Sequence, residues 1–260
     1  MEIKTITSKK NPVVRDASVL NKSASERYAL GKYIAEGARL VEDAAVSGVF
    51  IEALFFTETA EKKYQKYIEK AIKKANEVYR IDEQVASMLS DTKTSQGVFA
   101  LCRMNKKSGE LKGRSVILEN IQDPSNMGTV LRTAEAFGIS TILLTGECCD
   151  IYAPKTLRAS MGAVFRANVI EIKEQNSLIN TLKKENYKVY GSVPSDKAEK
   201  ITEIKMDDKT AVAIGNEGDG LTEMFKEKCD SLVTIPMKGR AESLNAAAAA
   251  SIIMWEMVRN

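Results

Sequence analysis

The sequence predicts an α/β protein with two parts, a C-terminal domain built on a parallel sheet and a smaller N-terminal α/β domain. Short runs that are apolar throughout alternate with helical segments, as in parallel sheets covered by helices on both faces. A polar stretch near residue 110 holds two glycines and no apolar periodicity, which is typical of a linker. We therefore predict an N-terminal domain at 1–105, a linker at 106–114 and a C-terminal domain at 115–260.

The N-terminal part alternates between helical and strand-like segments. Residues 25–46 carry apolar side chains on one helical face and predict a helix. The run IEALFFT at 51–57 predicts a buried strand, and the charged amphipathic segment at 61–77 predicts a second helix. The runs EVYRID at 77–82 and GVFALCRM at 97–104 predict two further strands, which together make a small α/β domain.

The C-terminal part contains five apolar runs that predict the strands of its sheet. They are SVILEN at 115–120, STILLTG at 140–146, YKVYGSV at 187–193, TAVAIGNE at 210–217 and SLVTIPM at 231–237. Ligands bind parallel sheets at the loops that leave the carboxyl ends of the strands. The residues directly after each strand are therefore the candidate functional residues.

The composition excludes several classes of chemistry. The chain of 260 residues has no histidine, which removes His-containing catalytic triads, His-ligated metals and imidazole acid–base catalysis. The four cysteines show no zinc-site spacing, so no metal is expected. No apolar run reaches the roughly 18–20 residues of a membrane span, and the first residues lack the apolar core of a signal peptide. We expect a reduced, cytoplasmic protein without a membrane partner.

Charge is unevenly distributed along the chain. The net charge is +3, but residues 1–107 hold 19 Lys and Arg against 14 Asp and Glu, whereas residues 108–260 hold 19 against 21. The N-terminal part is thus mildly suited to a polyanion. The alternative, that these lysines only cover solvated helices, stays open from charge alone.

Polar residues follow the first strand of the C-terminal sheet in IQDPSNMGTVLRTAEAFG, residues 121–138. Asn126 is predicted to cap a helix that starts near Met127. Arg132 lies next to the buried face of this helix, where its side chain can bind a ligand. The alternatives, that Arg132 pairs with Glu135 or only reaches solvent, stay open at this point.

A second loop, GNEGDGL at 215–221, has glycines that permit close approach of the chain to a ligand. The spacing is neither the dinucleotide fingerprint nor a Walker A motif, so neither NAD nor ATP is indicated. Glu217 is a charged group held inside this loop, although a turn or cap role would also explain it. In the third segment, 235–257, Ser243 is the predicted helix cap and Asn245 falls in the first turn, before a run of alanines.

Together these segments resemble the three signature motifs of the SpoU, or TrmH, family of RNA ribose 2′-O-methyltransferases, part of the knotted SPOUT class. The motifs are DPSNMGTVLRTAEAFG at 123–138, IGNEGDGL at 214–221 and IPMKGRAESLNAAAAASIIMWE at 235–256. Residues 152–169 also resemble the stretch between the family's first and second motifs. The N-terminal part, with YIAEGARLVEDA and TSQGVFAL, is similar to the L30e-like RNA substrate-binding domain that often accompanies these enzymes.

The resemblance implies a parallel sheet with a deep trefoil knot, a homodimer through the knotted domain and S-adenosylmethionine as the methyl donor. It implies that the alanine-rich helix lies close behind the knot. The cofactor-binding residues that it implies are Gly215, Asn216, Gly218, Ile235, Met237, Gly239 and Leu244. The residues that it places at the reacting centre are Asn126, Arg132, Glu217, Ser243 and Asn245.

For Arg132 we expect a role in orienting the target ribose or phosphate and in stabilising developing oxyanion charge, since a guanidinium does not readily lose its proton. Ribosomal RNA is expected as substrate rather than tRNA, because the L30e-like domain usually accompanies rRNA-directed members. The charge asymmetry suggests N-terminal RNA contacts at Lys9, Lys10, Arg15 and Arg39. Two alternatives are an inactive RNA-binding protein of the same fold and a base-modifying SPOUT enzyme; the glycine spacing argues against a dehydrogenase.

Overall fold

The computed structural model describes residues 2–104 and 109–259. The chain forms two compact units, Met1–Lys106 with Asp150–Phe165, and Lys107–Cys149 with Arg166–Asn260. The segment Asp150–Phe165 therefore belongs with the N-terminal residues, although the sequence placed it inside the C-terminal domain. The predicted linker lies partly outside the described residues, and its described part, 109–114, forms neither helix nor strand.

The elements of the first 104 residues are β1 (Ile3–Ile6), α1 (Pro12–Lys22), α2 (Ala24–Leu30), β2 (Lys32–Glu36), α3 (Ala38–Val46), β3 (Ile51–Thr57), α4 (Glu58–Ile72), β4 (Ala75–Ile81), α5 (Glu83–Leu89) and β5 (Val98–Arg103). Those of the remaining chain are β6 (Ser115–Glu119), α6 (Pro124–Ala136), β7 (Thr141–Thr145), α7 (Pro154–Ser160), β8 (Val169–Glu171), α8 (Gln175–Lys184), β9 (Lys188–Ser192), β10 (Glu199–Lys200), β11 (Thr210–Ile214), α9 (Glu223–Lys228), β12 (Ser231–Thr234) and α10 (Ala246–Arg259). None of these helices is long and apolar enough to cross a membrane.

The first unit is built on a five-stranded sheet in the order β1-β4-β3-β5-β2. Strand β5 runs antiparallel to both of its neighbours, and the other pairs are parallel. Helices α1 and α5 bury Val14, Leu20 and Val85 in one cluster with Phe55 and Phe99 of the sheet. Helices α3 and α4 pack on each other, and their buried residues lie outside that cluster.

The helix predicted over 25–46 is wrong, because a strand interrupts it. Gly31 ends α2 in the left-handed conformation at φ 63°, and Gly37, at φ 112°, precedes α3. Between them β2 pairs with β5 and buries Tyr33 and Ile34. The apolar spacing fits a helical face as well as a strand, and the two glycines decide between them. The helix predicted at 61–77 forms but ends at Ile72, and the strand β4 follows it.

The inserted segment Asp150–Phe165 is held in the first unit by polar and aromatic contacts. Nε of Arg27 donates to Oδ2 of Asp150 at 2.6 Å, and these side chains are only 6% and 11% exposed. The ring of Tyr152 stacks on Tyr33 with 4.7 Å between centroids. Both contacts lie in a buried environment, so the segment completes the first unit's core rather than covering its surface.

The second unit is built on a seven-stranded sheet in the order β10-β12-β9-β11-β6-β7-β8. Every strand pair in it is parallel. All five predicted strands are present, and the predicted α/β fold class with a parallel sheet is confirmed. Because the strands run in one direction, the carboxyl ends of β6, β9, β11 and β12 meet at one edge of the sheet.

Candidate active site

Helix α6 positions the polar residues of the first motif. Asp123 is its cap, and its Oδ1 accepts the backbone N–H groups of Ser125 and Asn126 at 2.8 and 2.9 Å. The prediction that Asn126 is the cap is therefore wrong. Proline is favoured at the first position of a helix, where its missing N–H costs nothing, so Pro124 starts the helix earlier. As a result Asn126 lies in the first turn with its side chain available to other groups.

Asn245 caps helix α10, which begins at Ala246. Its Oδ1 accepts the N–H groups of Ala247 and Ala248 at 3.0 and 3.3 Å. The prediction that Ser243 is the cap and that Asn245 lies in the first turn is thus wrong. A capping oxygen reaches the N–H groups two and three residues along the chain, and Asn245 has that offset from the helix. Ser243 is exposed and does not cap the helix.

A chain of side-chain hydrogen bonds joins the three motifs. Nδ2 of Asn245 donates to Oδ1 of Asn126 at 3.1 Å, and Nδ2 of Asn126 donates to Oε1 of Glu217 at 2.6 Å. The direction is self-consistent, because a carboxylate only accepts and the helix N–H groups only donate. Every amide in the chain therefore points its donor toward Glu217. This arrangement fixes the relative positions of the three motifs.

The glycine-rich loop at 215–221 presents Glu217 from a tight hairpin. Asn216 and Gly220 exchange two backbone hydrogen bonds of 3.1 and 3.0 Å. A Cβ atom on Gly215 would lie 2.1 Å from the carbonyl carbon of Gly220, and Gly220 itself has φ 68°. Gly215 therefore requires glycine, and the backbone conformation at Gly220 favours it. The Oδ1 atom of Asn216 accepts the N–H of Gly218 at 2.7 Å, which closes the turn on which Glu217 is exposed.

A cleft of about 390 Å³ lies beside this loop. Eight predicted site residues line it: Gly215, Asn216, Glu217, Gly218, Ile235, Met237, Ser243 and Leu244. Gly239 is exposed and is not among the lining residues. The residues 192–195, which follow β9, also line the cleft and were missed in the sequence. They carry no charge and no glycine after the strand, yet the rule that ligands bind after parallel strands would have selected them.

The cleft fits a nucleoside-like cofactor. Its volume falls in the range of about 300–1,000 Å³ common for small-molecule pockets. Met237 and Leu244 are each 37% exposed, which leaves apolar surface available to a flat base. Backbone groups of the glycine-rich loop and the hydroxyl of Ser243 supply polar contacts at the same cleft. Within 2–104 and 109–259, no group of three or more His, Cys, Asp or Glu side chains could hold a metal ion.

Arg132 is exposed on α6 and makes no hydrogen bond or ion pair with another described residue. Its alternative partner Glu135 is bound by Arg166 instead, with 3.0 Å between Nη2 and Oε2. The Arg132–Glu135 pair considered from the sequence is therefore not formed. Arg132 is not joined to the Asn245–Asn126–Glu217 chain either, so its guanidinium is available to an external anion.

The proposed RNA contacts of the first unit are all exposed. Lys9 and Lys10 precede α1 and Arg15 lies on it, whereas Arg39 lies on α3. Because α1 packs in the cluster with α5 while α3 packs with α4 outside it, these cations do not lie on one helix face.

Two family models match the chain. Residues 113–255 match the SpoU rRNA Methylase family, and residues 11–100 match the MRM3-like substrate binding domain. A curated relative is the 23S rRNA (guanosine(2553)-2′-O)-methyltransferase RlmP of Bacillus subtilis. It is 32% identical over 256 residues, which are 98% of this chain and 99% of RlmP.

Solved structures resemble the chain over nearly its whole length. The rRNA methyltransferase from Sinorhizobium meliloti with bound AdoMet (S-adenosylmethionine) aligns with a TM-score of 0.84 and 27% identity, covering 99% of this chain and 98% of that one. An RNA 2′-O ribose methyltransferase aligns with a TM-score of 0.82 and 28% identity, covering 98% of both chains. The resemblance found in the three motifs is confirmed, and the chain belongs to the SpoU rRNA methylase family.

Proposed function

We propose that this chain transfers a methyl group from S-adenosylmethionine to a ribose 2′-hydroxyl of ribosomal RNA. The observation that carries the proposal is the hydrogen-bond chain from Asn245 through Asn126 to Glu217 beside the cleft. It brings together one residue from each family motif in a single constellation. Ribosomal RNA is proposed as the substrate because the similar RlmP acts on 23S rRNA.

The cleft supplies the cofactor site in this proposal. When bound, S-adenosylmethionine supplies an electrophilic methyl group on a sulfonium. Ile235, Met237 and Leu244 would hold the adenine and ribose by apolar contact, while backbone groups of residues 215–218 would bind the polar edges. Ser243 contributes a hydroxyl to the same wall.

The protein's contribution to the reaction is positioning and electrostatics. A ribose hydroxyl is a weak nucleophile, so holding it in line with the methyl group lowers the barrier considerably. The guanidinium of Arg132 offers five N–H donors in a planar arrangement and no acceptor. It therefore acts as a fork of donors that orients the RNA phosphate or ribose and stabilises negative charge developing on the oxygen. The Asn245–Asn126–Glu217 chain holds the surrounding loops in one arrangement.

The first unit is proposed to bind the RNA substrate. Lys9, Lys10, Arg15 and Arg39 are exposed and can reach phosphates. Contacts of this kind release counterions, so RNA affinity should fall as salt concentration rises. Replacing all four by glutamine should weaken RNA binding and flatten its salt dependence. An unchanged slope would remove these residues from the RNA surface.

We also propose that the second unit forms a homodimer through α6 and α10. These helices run side by side, since Thr133 lies 3.4 Å from Ser251 and the rings of Phe137 and Trp255 are 5.7 Å apart. Ile252 and Trp255 remain 38% and 50% exposed on this pair, which leaves an apolar face for a second copy. Sedimentation should give a dimer for the wild type and a monomer for Trp255→Glu.

The proposed place of action is the cytoplasm. The four cysteines all lie in the described residues and form no disulfide, which suits a reducing compartment. An inactive RNA-binding protein is the less favoured alternative, because Arg132, Asn126, Glu217, Ser243 and Asn245 are all present.

The deciding experiment transfers a labelled methyl group from S-adenosylmethionine to bulk bacterial RNA and then hydrolyses the RNA in alkali. A 2′-O-methyl group blocks cleavage at its own phosphodiester. The expected result is label in alkali-resistant dinucleotides, lost in Arg132→Ala. Label in mononucleotides would assign base methylation instead. Cofactor binding without transfer to any RNA or ribosomal particle would favour the inactive alternative.

A further inference from the structure

Glu119, the last residue of β6, is a fully buried carboxylate. It lies at the carboxyl ends of the strands, on the side of the sheet where the cleft is found. Its Oε2 accepts the backbone N–H of Thr222 at 2.9 Å, and its Oε1 accepts the Thr222 hydroxyl at 2.8 Å. The side-chain amide of Gln175, at the start of α8, also donates to Oε1. A buried carboxylate is costly unless its lone pairs are satisfied. These neutral donors satisfy it, so Glu119 ties Thr222 and Gln175 to the end of β6.

The next residue, Asn120, holds the other end of the glycine-rich loop. Its backbone carbonyl accepts Nδ2 of Asn216 at 2.9 Å. Its own side-chain Oδ1 accepts the N–H of Glu147 at 2.7 Å. Asn120 adopts φ 57°, a left-handed conformation that asparagine tolerates better than most residues. Glu119, the last residue of β6, and Asn120, which follows the strand, thus hold the loop 215–221 near its start at Asn216 and just past its end at Thr222.

The loop held in this way is the one that lines the cleft and carries Glu217. Its own hairpin is closed by the Asn216–Gly220 backbone bonds, so a change at either attachment would displace the loop as one body. A shift of that body would displace the cofactor wall and would also break the 2.6 Å bond from Asn126 to Glu217. Preorganised sites need supporting groups of this kind, because a looser loop lowers affinity without unfolding the protein.

We propose that Glu119 is a positioning residue for methyl transfer. Through Thr222 it fixes the glycine-rich loop in the conformation that binds the cofactor and orients Glu217. The inference rests on the proposed function, since it concerns the same cleft. It adds a residue that lies outside the three motifs and does not line the cleft.

The test measures the dissociation constant of S-adenosylmethionine for the full chain by calorimetry, together with the melting temperature. The Glu119 carboxylate accepts three hydrogen bonds. In Glu119→Gln the amide NH₂ group would face one of those donors, so that hydrogen bond is lost. We expect the dissociation constant to rise by about tenfold or more, as for loss of a hydrogen bond to a charged group. Thr222→Val keeps the backbone hydrogen bond to Glu119 but loses the one from the hydroxyl. It should raise the dissociation constant by about threefold. Thr222→Ser keeps both bonds and should restore wild-type binding.

Thr141→Val is the matched control. Thr141 is also fully buried, and its Oγ1 donates to the carbonyl of Lys112 at 2.9 Å and accepts its N–H at 3.0 Å. Thr141 pairs with Ser115, the first residue of β6. Ser115 lies about 13 Å along the strand from Glu119, at a rise of roughly 3.3 Å per residue. Thr141→Val should therefore lower the melting temperature without changing cofactor affinity.

Three outcomes are decisive. If Glu119→Gln and Thr222→Val lose stability as Thr141→Val does but bind the cofactor like the wild type, the positioning role is wrong and the proposed function stands. If Glu119→Gln does not fold, the contrast between Thr222→Val and Thr222→Ser decides the question. If the wild-type chain does not bind S-adenosylmethionine, the proposed function falls, and this inference falls with it.

Discussion

Glu36 in the first unit and Glu217 in the second are both carboxylates held by polar loops, but they differ in the number of bonds that they already accept. Glu36 is 8% exposed and accepts from Ser90, Thr92 and Ser95 hydroxyls and from the N–H of Asp91, at 2.7–3.0 Å. Glu217 is exposed and accepts one such bond from the described residues, from Asn126. A carboxylate offers about four acceptor sites, so Glu36 is saturated and Glu217 is not.

Two arginines show the same contrast. Arg27 of the first unit is buried against Asp150, whereas Arg132 of the second is exposed and has no partner among the described residues. Saturated groups stabilise the unit that contains them, and groups with spare capacity can bind a ligand. Stability and ligand binding should therefore respond to different substitutions in the two units, and the following experiments test this.

The largest effect is expected at the buried ion pair. Asp150→Asn leaves the Arg27 charge buried without a counter-charge, and should lower the free energy of unfolding of the first unit by about 3–5 kcal/mol. Urea denaturation with hydrogen exchange of first-unit amides would measure it. The single tryptophan, Trp255, reports separately on the second unit. A loss below about 1 kcal/mol would mean that the pair is not a main support of the first unit.

Arg132→Ala should have the opposite effect, with a loss of activity and no loss of stability. We expect methyl transfer to fall by about a hundredfold or more, as on removal of a donor that stabilises transition-state charge. The melting temperature should not change, because the side chain has no partner to lose within the described part of the chain. Arg132→Lys should recover little activity, since an ammonium cannot form the bidentate fork. Near-wild-type activity of the lysine variant would contradict the role given to the guanidinium.

Substitution of the two carboxylates tests the comparison directly. Glu36→Gln should lower stability by about 1–3 kcal/mol, because the four donors around this buried side chain lose part of their acceptor. It should leave the dissociation constant for S-adenosylmethionine unchanged. Glu217→Gln should keep stability but slow methyl transfer by about tenfold, as for a weakened bond to a charged group. Calorimetry and the labelled-methyl assay would separate them, and equal stability losses would contradict the comparison.

The smallest effect is expected at an exposed ion pair on α4, which serves as a reference for the buried pair. Lys62 pairs with Glu58 at 2.6 Å on α4, but the side chains are 75% and 69% exposed. Solvent screens such a pair and its side chains lose entropy on forming it. Lys62→Ala should therefore change neither thermal stability nor cofactor affinity measurably. A clear loss of stability would show that exposed pairs matter in this protein as much as buried ones.

The sequence predicted the second unit well because its strands are continuous apolar runs. Runs such as TAVAI at Thr210–Ile214 are buried on both faces, so their composition leaves little choice. The region 25–46 was harder, since its apolar residues suit a strand and a helix equally. Residues 32–36 form a strand because they pair with β5. That partner is distant in the sequence, so a local pattern does not indicate the pairing.

Within the site, the sequence predicted the residue types but not all of their local roles. Asn126 and Asn245 were identified, but the capping assignments were wrong, because a shift of two or three residues in the start of a helix moves the cap to another residue. Residues 192–195 lack any charge that would have drawn attention to them. Glu119 was included in a strand, and only the fold brings Thr222 to it. The trefoil knot implied by the resemblance stays a prediction.

The insertion of Asp150–Phe165 into the first unit also bears on the order of synthesis. A nascent chain ending near residue 105 has Arg27 and Tyr33 without Asp150 and Tyr152, so its core is incomplete. The first unit can be finished only after β6, α6 and β7 of the second have left the ribosome. The first unit is therefore completed only after synthesis of the second has begun, and neither unit can be exchanged by a single cut in the gene.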